Sequence, residues 1–308
     1  MSEKSSKTQI CSACGFPVST RNISYAAQTA VSKCYLCGLP TYNMYVYGES
    51  NYELPTKQMQ VDSSVKSKET LVNELHSTVQ SNDAQNIFRA GSFNLLKYRY
   101  KDITAITKAM YMILEHKLNI CGIQEFMTFP LFDFIEKTKL PGAYDYVEFG
   151  HQIDLHGGHA GNAIVSHNYM YNTTNVHYEK HNAPDGLDQQ GYIKTTIKIN
   201  GKDVSVYNTH LYYNSDTVVR NQMQELANAI KNDPTTYKIV VGDFNAYPNN
   251  GDYKALTNLG FTLSIPASAN TIDNVLVSSN IEVLSYKIVS TPEEVTDHNL
   301  VYAELKLN

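Results

Sequence analysis

The run Lys238-Ile239-Val240-Val241-Gly242-Asp243-Phe244-Asn245-Ala246 constrains this chain more than any other stretch. Its apolar residues follow one another without polar alternation, the mark of a strand buried on both faces. Gly242 then lets the backbone turn sharply, and Asp243 and Asn245 are expected to project the same way because strand side chains alternate. A carboxylate and an amide on the rim of a rigid strand suit a catalytic site. Taken alone, the stretch fits an Asp-x-Asn turn that only caps a strand equally well.

Other elements give the strand its neighbours. Phe88–Leu96 reads as a strand carrying Asn94, and Asp102–Lys117 as a helix with Asp102 as its N-cap. Asn119–Phe126 is a further buried strand ending in Gln124-Glu125, with Cys121 as a small core residue. Tyr144–His151 and Gly161–His167 are strands separated by a loop. Tyr192–Ile199 and Asp203–Leu211 form a hairpin across Asn200-Gly201. A helix over about 216–232 precedes the opening run. Ile272–Ser278, Val283–Val289 and Asn299–Leu307 complete the strands. Strands meeting across hairpins, with helices between, predict two mixed sheets packed face to face and covered by helices.

Five short motifs now fall in order: Ser92-Phe93-Asn94, Gln124-Glu125, Asn208-Thr209-His210-Leu211, Gly242-Asp243-Phe244-Asn245 and Thr296-Asp297-His298-Asn299. This series resembles the endonuclease/exonuclease/phosphatase (deoxyribonuclease I-like) superfamily over about residues 86–308. The resemblance implies a four-layered α/β sandwich and a phosphoesterase that uses Mg²⁺ or Mn²⁺. Phosphodiester hydrolysis needs a cation against developing charge, a positioned water and donors for the phosphate oxygens. Hard divalent ions prefer oxygen ligands and keep several waters, so one or two carboxylates suffice. On the superfamily pattern Glu125 is the first metal ligand, Asn94 hydrogen-bonds around it, and Asp297 is the second metal-binding carboxylate. Asp243 aligns or deprotonates the attacking water, and Asn245 holds phosphate or metal-bound water. His210 contacts the phosphate or acts as leaving-group acid, while Asp273 fixes the tautomer of His298. Neighbours on a strand point oppositely, so Asp297 and His298 can share a site only if the chain turns there. Arg220 and Gln222 read as support from the helix behind the site. Asn162 is a candidate substrate contact. The loop His151–His159, with three histidines and two glycines, either grips phosphate through His159, binds a further metal with Asp154, or is an ordinary loop.

Ahead of this domain, Cys11-x-x-Cys14 and Cys34-x-x-Cys37 are separated by 19 residues, and each pair is followed by Gly. Two such knuckles complete a tetrahedral thiolate set, so residues 1–47 read as a zinc ribbon with a closed, structural Zn²⁺. Disulfides are the competing reading, and the polar Met1–Gln9 start, without a signal-peptide core, argues for a reducing, cytoplasmic setting. The ribbon's Tyr35, Tyr42, Tyr45 and Tyr47 either pack the small module or stack on bases, and holding a protein partner or a second copy of the chain is the ribbon's alternative role. Residues 48–85 read as a polar linker with one amphipathic helix near 65–81, on Leu71, Leu75 and Val79.

Net charge is −5 with 18% charged residues, so any nucleic-acid contact needs a local patch and not a whole-molecule field. No run of eighteen apolar residues exists, so no membrane helix is expected. The superfamily includes nucleases, deadenylases, sphingomyelinases and inositol-phosphate phosphatases. The Asn-Thr-His-Leu form and the ribbon point to a nuclease acting on DNA in preference to RNA. A phosphatase or phosphodiesterase on RNA, nucleotide, inositol or lipid phosphates is the alternative, and an inactive fold serving a binding ribbon the third.

Overall fold

The computed structural model describes residues 9–11, 17–18, 44–46, 67–96, 103–128, 142–155, 158–179, 190–293 and 295–308. Near the start, β1 (Gln9–Cys11), β2 (Pro17–Val18) and β3 (Met44–Val46) form an antiparallel sheet in the order β2-β1-β3. Cys11 ends β1; Cys14, Cys34 and Cys37 lie outside the described residues, as do Tyr35, Tyr42, Tyr47, Asp102 and most of the linker.

Helix α1 (Lys68–Asp83) is capped by Ser67, whose Oγ accepts from the Thr70 amide at 3.2 Å. Leu71, Leu75 and Val79 recur every fourth residue and form one buried stripe. The helix read as part of a linker therefore packs into the larger unit, on the core beneath α2 (Ile103–Glu115).

Two six-stranded sheets make up that unit. One has the order β14 (Ile281–Val289), β15 (Leu300–Leu307), β4 (Ile87–Asn94), β5 (Ile120–Thr128), β7 (Gly158–Ser166) and β6 (Tyr146–Leu155). The other runs β12 (Thr262–Leu263), β13 (Asp273–Val277), β11 (Tyr237–Asp243), β10 (Lys202–His210), β9 (Gly191–Ile199) and β8 (Met170–His177). In each sheet one neighbouring pair is parallel, β4 with β5 and β10 with β11, and the rest are antiparallel. The parallel pairs are joined by α2 and by α3 (Asp216–Asn232), as parallel strands require a crossover.

Three apolar layers follow. Phe88, Ala90, Ile120 and Ile164 of one sheet meet Val204, Val206, Ile239, Val241 and Val275 of the other. α1 and α2 cover the outer face of the first sheet. α3 covers the outer face of the second, with short α4 (Lys254–Thr257) beside it. This is the four-layered sandwich expected.

Several local details differ from expectation. The segment His151–His159 is mostly the end of a hairpin, not a loop, because β6 and β7 pair from Tyr146↔Ser166 out to Leu155↔Gly158 past a bulge at His151/Ile153. A Cβ on Gly161 would lie 2.0 Å from the Gly150 carbonyl oxygen, so the strands close there only because the residue is glycine. β8 is a mostly exposed edge strand, whose polar Asn172-Thr173-Thr174 gives no buried pattern to read. β11 continues straight through Gly242; a Cβ there would sit 2.3 Å from the Thr209 carbonyl oxygen, so close strand approach, not a turn, requires the glycine. The Asn200-Gly201 hairpin does turn with both residues at positive φ, 45° and 76°.

Candidate active site

The two parallel pairs lie face to face, β11 packing on β4 and β5, and β10 on β5. Their carboxyl ends coincide: Asn94 is level with Gln124 in one sheet, and His210 with Asp243 in the other. Open α/β sheets bind ligands at such ends. Gly122 permits the close approach, since a Cβ there would lie 2.4 Å from Val241 Cγ2 and 2.7 Å from the Asn208 side chain.

Backbone irregularity aims the polar groups. β5 bulges between Ile123 and Phe126, and Glu125 within the bulge has φ +52°. A non-glycine residue in that region costs about 1–2 kcal/mol, a strain typical of functional positions. Asn245 also has a left-handed backbone, φ +47°, and lies beyond the end of β11, so strand alternation does not set its direction. Its amide N–H donates to Asp243 Oδ1 at 2.9 Å and its Nδ2 to the Leu211 carbonyl at 2.8 Å.

Asn94 Nδ2 donates to Glu125 Oε1 at 3.1 Å and to Asp243 Oδ2 at 2.9 Å, tying one sheet to the other. The same Asp243 oxygen lies 3.7 Å from both His210 Nε2 and His298 Nε2. Asp273, opposite Asp243 on β13, accepts from His298 Nδ1 at 2.8 Å. The chain turns over Thr296–Asn299 before β15, which brings Asp297 Oδ1 to 3.9 Å from His298 Nε2 while leaving the Asp297 side chain 61% exposed. Asn94, Glu125, His210, Asp243, Asn245, Asp273, Asp297 and His298 thus gather at one rim.

Burial alone would lower the His298 pKa. The hydrogen bond and charge of Asp273, with the charges of Asp243 and Asp297, outweigh it and raise the value to about 9. Burial pushes Asp273 up to about 6, held from rising further by His298. The Asp273 carboxylate thus favours the charged imidazolium of His298 across their 2.8 Å bond.

Behind these groups runs a buried amide network. Gln124 Nε2 donates to Asn208 Oδ1 at 2.6 Å and Ser92 Oγ at 3.1 Å. Asn208 Nδ2 donates to the carbonyls of Ile123 and Ala163 at 2.9 and 2.7 Å. Thr296 Oγ1 donates to the Asn94 carbonyl at 2.9 Å and accepts from the His298 amide at 3.3 Å. Gln124, Asn208 and Thr296 lie inside the motifs, yet residue type alone does not distinguish an inward brace from a bystander. On α3, Gln222 Oε1 accepts from the Tyr212 amide at 2.8 Å, and Arg220 pairs with Asp252 at 3.3 Å.

Asn162 Nδ2 donates to the carbonyl of Gly191, the residue paired with His210, so it flanks the rim; its Oδ1 is buried without a hydrogen-bond partner among the described residues. His159 lies on β7 opposite Asp154 and Thr128, and its side chain lies outside the described residues, as do those of Asp154 and His156.

The donor set fits a hard divalent cation. Two carboxylates, Glu125 and Asp243, converge on one neutral amide nitrogen, an arrangement of like charges that a cation would relieve. Ligand-type atoms of Asp243, Asp273 and His298 lie within 4.8 Å of one another. His298 Nδ1 and Asp273 Oδ2 are taken up by their mutual bond, while Asp273 Oδ1 is buried with no hydrogen-bond partner among the described residues.

A sandwich that collects carboxylates and imidazoles at the ends of two stacked parallel pairs defines a metal-dependent phosphoesterase. The chain belongs to the endonuclease/exonuclease/phosphatase family, whose model matches residues 73–298. Its fold is similar to that of an endonuclease/exonuclease/phosphatase from Beutenbergia cavernae, with a TM-score of 0.63 and 16% identity over 73% of this chain and 72% of that one. The human Nocturnin catalytic domain gives a TM-score of 0.57 and 20% identity over 73% and 96% of the two chains. A mannosyl-6-phosphatase from Bacteroides thetaiotaomicron gives 0.54 and 17% over 71% and 99%. No curated protein matches the chain by sequence. Among the described residues, no helix is long and apolar enough to cross a membrane.

Proposed function

We propose that this chain is a Mg²⁺-dependent nuclease that cleaves DNA in preference to RNA. The observation that carries the reading is the Asp243 carboxylate, held by Asn94 and the Asn245 amide and flanked at 3.7 Å by His210 and His298. Glu125 and Asp297 would hold a divalent ion, with Asn94 hydrogen-bonded beside it, and that ion would supply charge neutralisation for the phosphate oxygens. Asp243 orients the attacking water and takes its proton, since both its oxygens are fixed. The His298 imidazolium, kept protonated by Asp273, donates to a phosphate oxygen. His210 donates to the same phosphate or protonates the leaving oxygen, and Asn245 helps hold the phosphate.

The Asn208-Thr209-His210-Leu211 form with Arg220 and Gln222 downstream supports nucleic acid over small phosphates, and Asn162 and His159 are the substrate contacts we assign. Cys11, Cys14, Cys34 and Cys37 would hold one structural Zn²⁺, and that module would serve DNA or a protein partner in the cytoplasm. Similarity to a mannosyl-6-phosphatase favours a small-phosphate reading as the second possibility.

Incubation of the full chain with plasmid, single-stranded DNA, RNA, inositol phosphates and mannose 6-phosphate, with Mg²⁺ or EDTA, tests the reading. Mg²⁺-dependent DNA cleavage is expected. Hydrolysis confined to the small phosphates would overturn the nuclease assignment. Metal analysis should find one zinc per chain, lost when Cys14 or Cys37 is replaced by Ser.

A further inference from the structure

Tyr213 and Tyr247 are 69% and 43% exposed, two of only eight large hydrophobic residues so displayed among the described residues. Both leave the catalytic rim directly. Tyr213 stands three residues beyond His210, and Tyr247 two beyond Asn245. At about 3.5 Å per residue, their Cα atoms lie within about 11 Å of those of His210 and Asn245.

The two segments are tied together at their roots. The Leu211 amide donates to the Asp243 carbonyl at 3.0 Å, and Asn245 Nδ2 donates to the Leu211 carbonyl at 2.8 Å. Gln222 holds the Tyr212 amide, and the Tyr253 hydroxyl donates to the Ala246 carbonyl at 3.2 Å. Rings on such braced loops lose little entropy when a flat ligand settles on them. Among the described residues, the ring beside Tyr213 is that of Tyr212, centroids 5.4 Å apart and tilted 39°.

The chain carries −5, and Arg220, the cation nearest these loops on α3, pairs with Asp252. Duplex DNA is gripped mainly through its phosphates, whereas single strands are held by stacking on aromatic rings.

We infer that Tyr213 and Tyr247 form a stacking rim for unpaired bases flanking the scissile phosphate, making single-stranded segments of DNA the substrate class. The inference rests on the DNA reading above and deepens it. Bases leave the rim when the strand is cut, and the phosphate chemistry stays with Asp243 and the two histidines.

The test compares a single-stranded oligonucleotide with an abasic oligonucleotide of the same length and charge, using the full chain with Mg²⁺. The ratio of kcat/KM on the base-bearing strand to that on the abasic strand should fall about 5- to 150-fold in Tyr213→Ala or Tyr247→Ala. The fall should appear in KM, and Tyr213→Phe and Tyr247→Phe should keep the wild-type ratio. An unaltered ratio in both alanine variants overturns the stacking rim, as does an equal loss in the phenylalanine variants. Wild-type protein that cleaves neither strand overturns the DNA reading itself. Wild-type protein that cleaves both equally overturns only the rim.

Discussion

His298 Nδ1 and Asp273 Oδ2 lie 2.8 Å apart, joining the entry to the last strand to the start of β13. The bond fixes which imidazole nitrogen faces the rim, because Nδ1 is spent on Asp273 and Nε2 points toward Asp243.

In metal-free protein, His298 should stay protonated well above neutrality. Its pKa of about 9 exceeds the ordinary 6.5, so the fold stabilises the charged form. That contribution is complete below about pH 6.5 and is lost as pH rises through about 9. Titration of the imidazole by NMR in EDTA should give a midpoint near 9, and Asp273→Asn should bring it down. An unchanged midpoint in the variant would falsify the pairing.

The left-handed backbone at Glu125 predicts an inverted order of substitutions. At an ordinary strand position alanine is more stabilising than glycine, but at φ +52° glycine avoids about 1 kcal/mol of strain. Glu125→Gly should therefore melt higher than Glu125→Ala in EDTA. Both should lose at least about 100-fold in kcat/KM, about 2.7 kcal/mol of barrier, through the missing carboxylate. A higher melting temperature for the alanine variant would contradict the bulge.

How much of this could be read from the chain depends on what each residue does. The sandwich was legible because Ile239–Val241 and Ile120–Ile123 are runs without alternation, and Asn200-Gly201 dictates its own turn. The rim was legible through Glu125, His210, Asp243 and His298 only as members of a motif series that resembles the superfamily, since each alone fits an ordinary strand end. The bulge at Glu125 was not, since no glycine marks it and tertiary contacts impose the strain. Gly242 misled for a related reason: glycine signals a turn and a close strand contact alike, and only the neighbouring Thr209 carbonyl decides between them. Asn208 and Gln124 face inward, a direction that residue type does not encode.

Asn208 should matter for stability as well as rate. Replacing it with Ala leaves Gln124 Nε2 with one partner fewer and strips the Ile123 and Ala163 carbonyls of a donor. Each buried group left unpaired costs about 1–3 kcal/mol, so urea unfolding should lose about 3 kcal/mol or more. Activity should fall in proportion to displaced Glu125, read as a raised Mg²⁺ requirement.

Removal of residues 1–66 should leave the large unit folded, whereas removal of 1–85 should not. The second cut takes away Leu71, Leu75 and Val79, all buried in the core over α2. Burial of each such side chain contributes about 1.5–3 kcal/mol, together comparable to the net stability of a domain. Circular dichroism melts of the two truncated proteins check this. Equal melting temperatures would show that α1 is dispensable.

The distribution of the rim along the chain has a temporal consequence. Asn94 comes from the first strand of the large unit and His298 from the approach to its last, so a ribosome must finish nearly all of that unit before the pieces can meet. A nascent chain short of residue 298 lacks one of the two imidazoles and cannot yet assemble the rim.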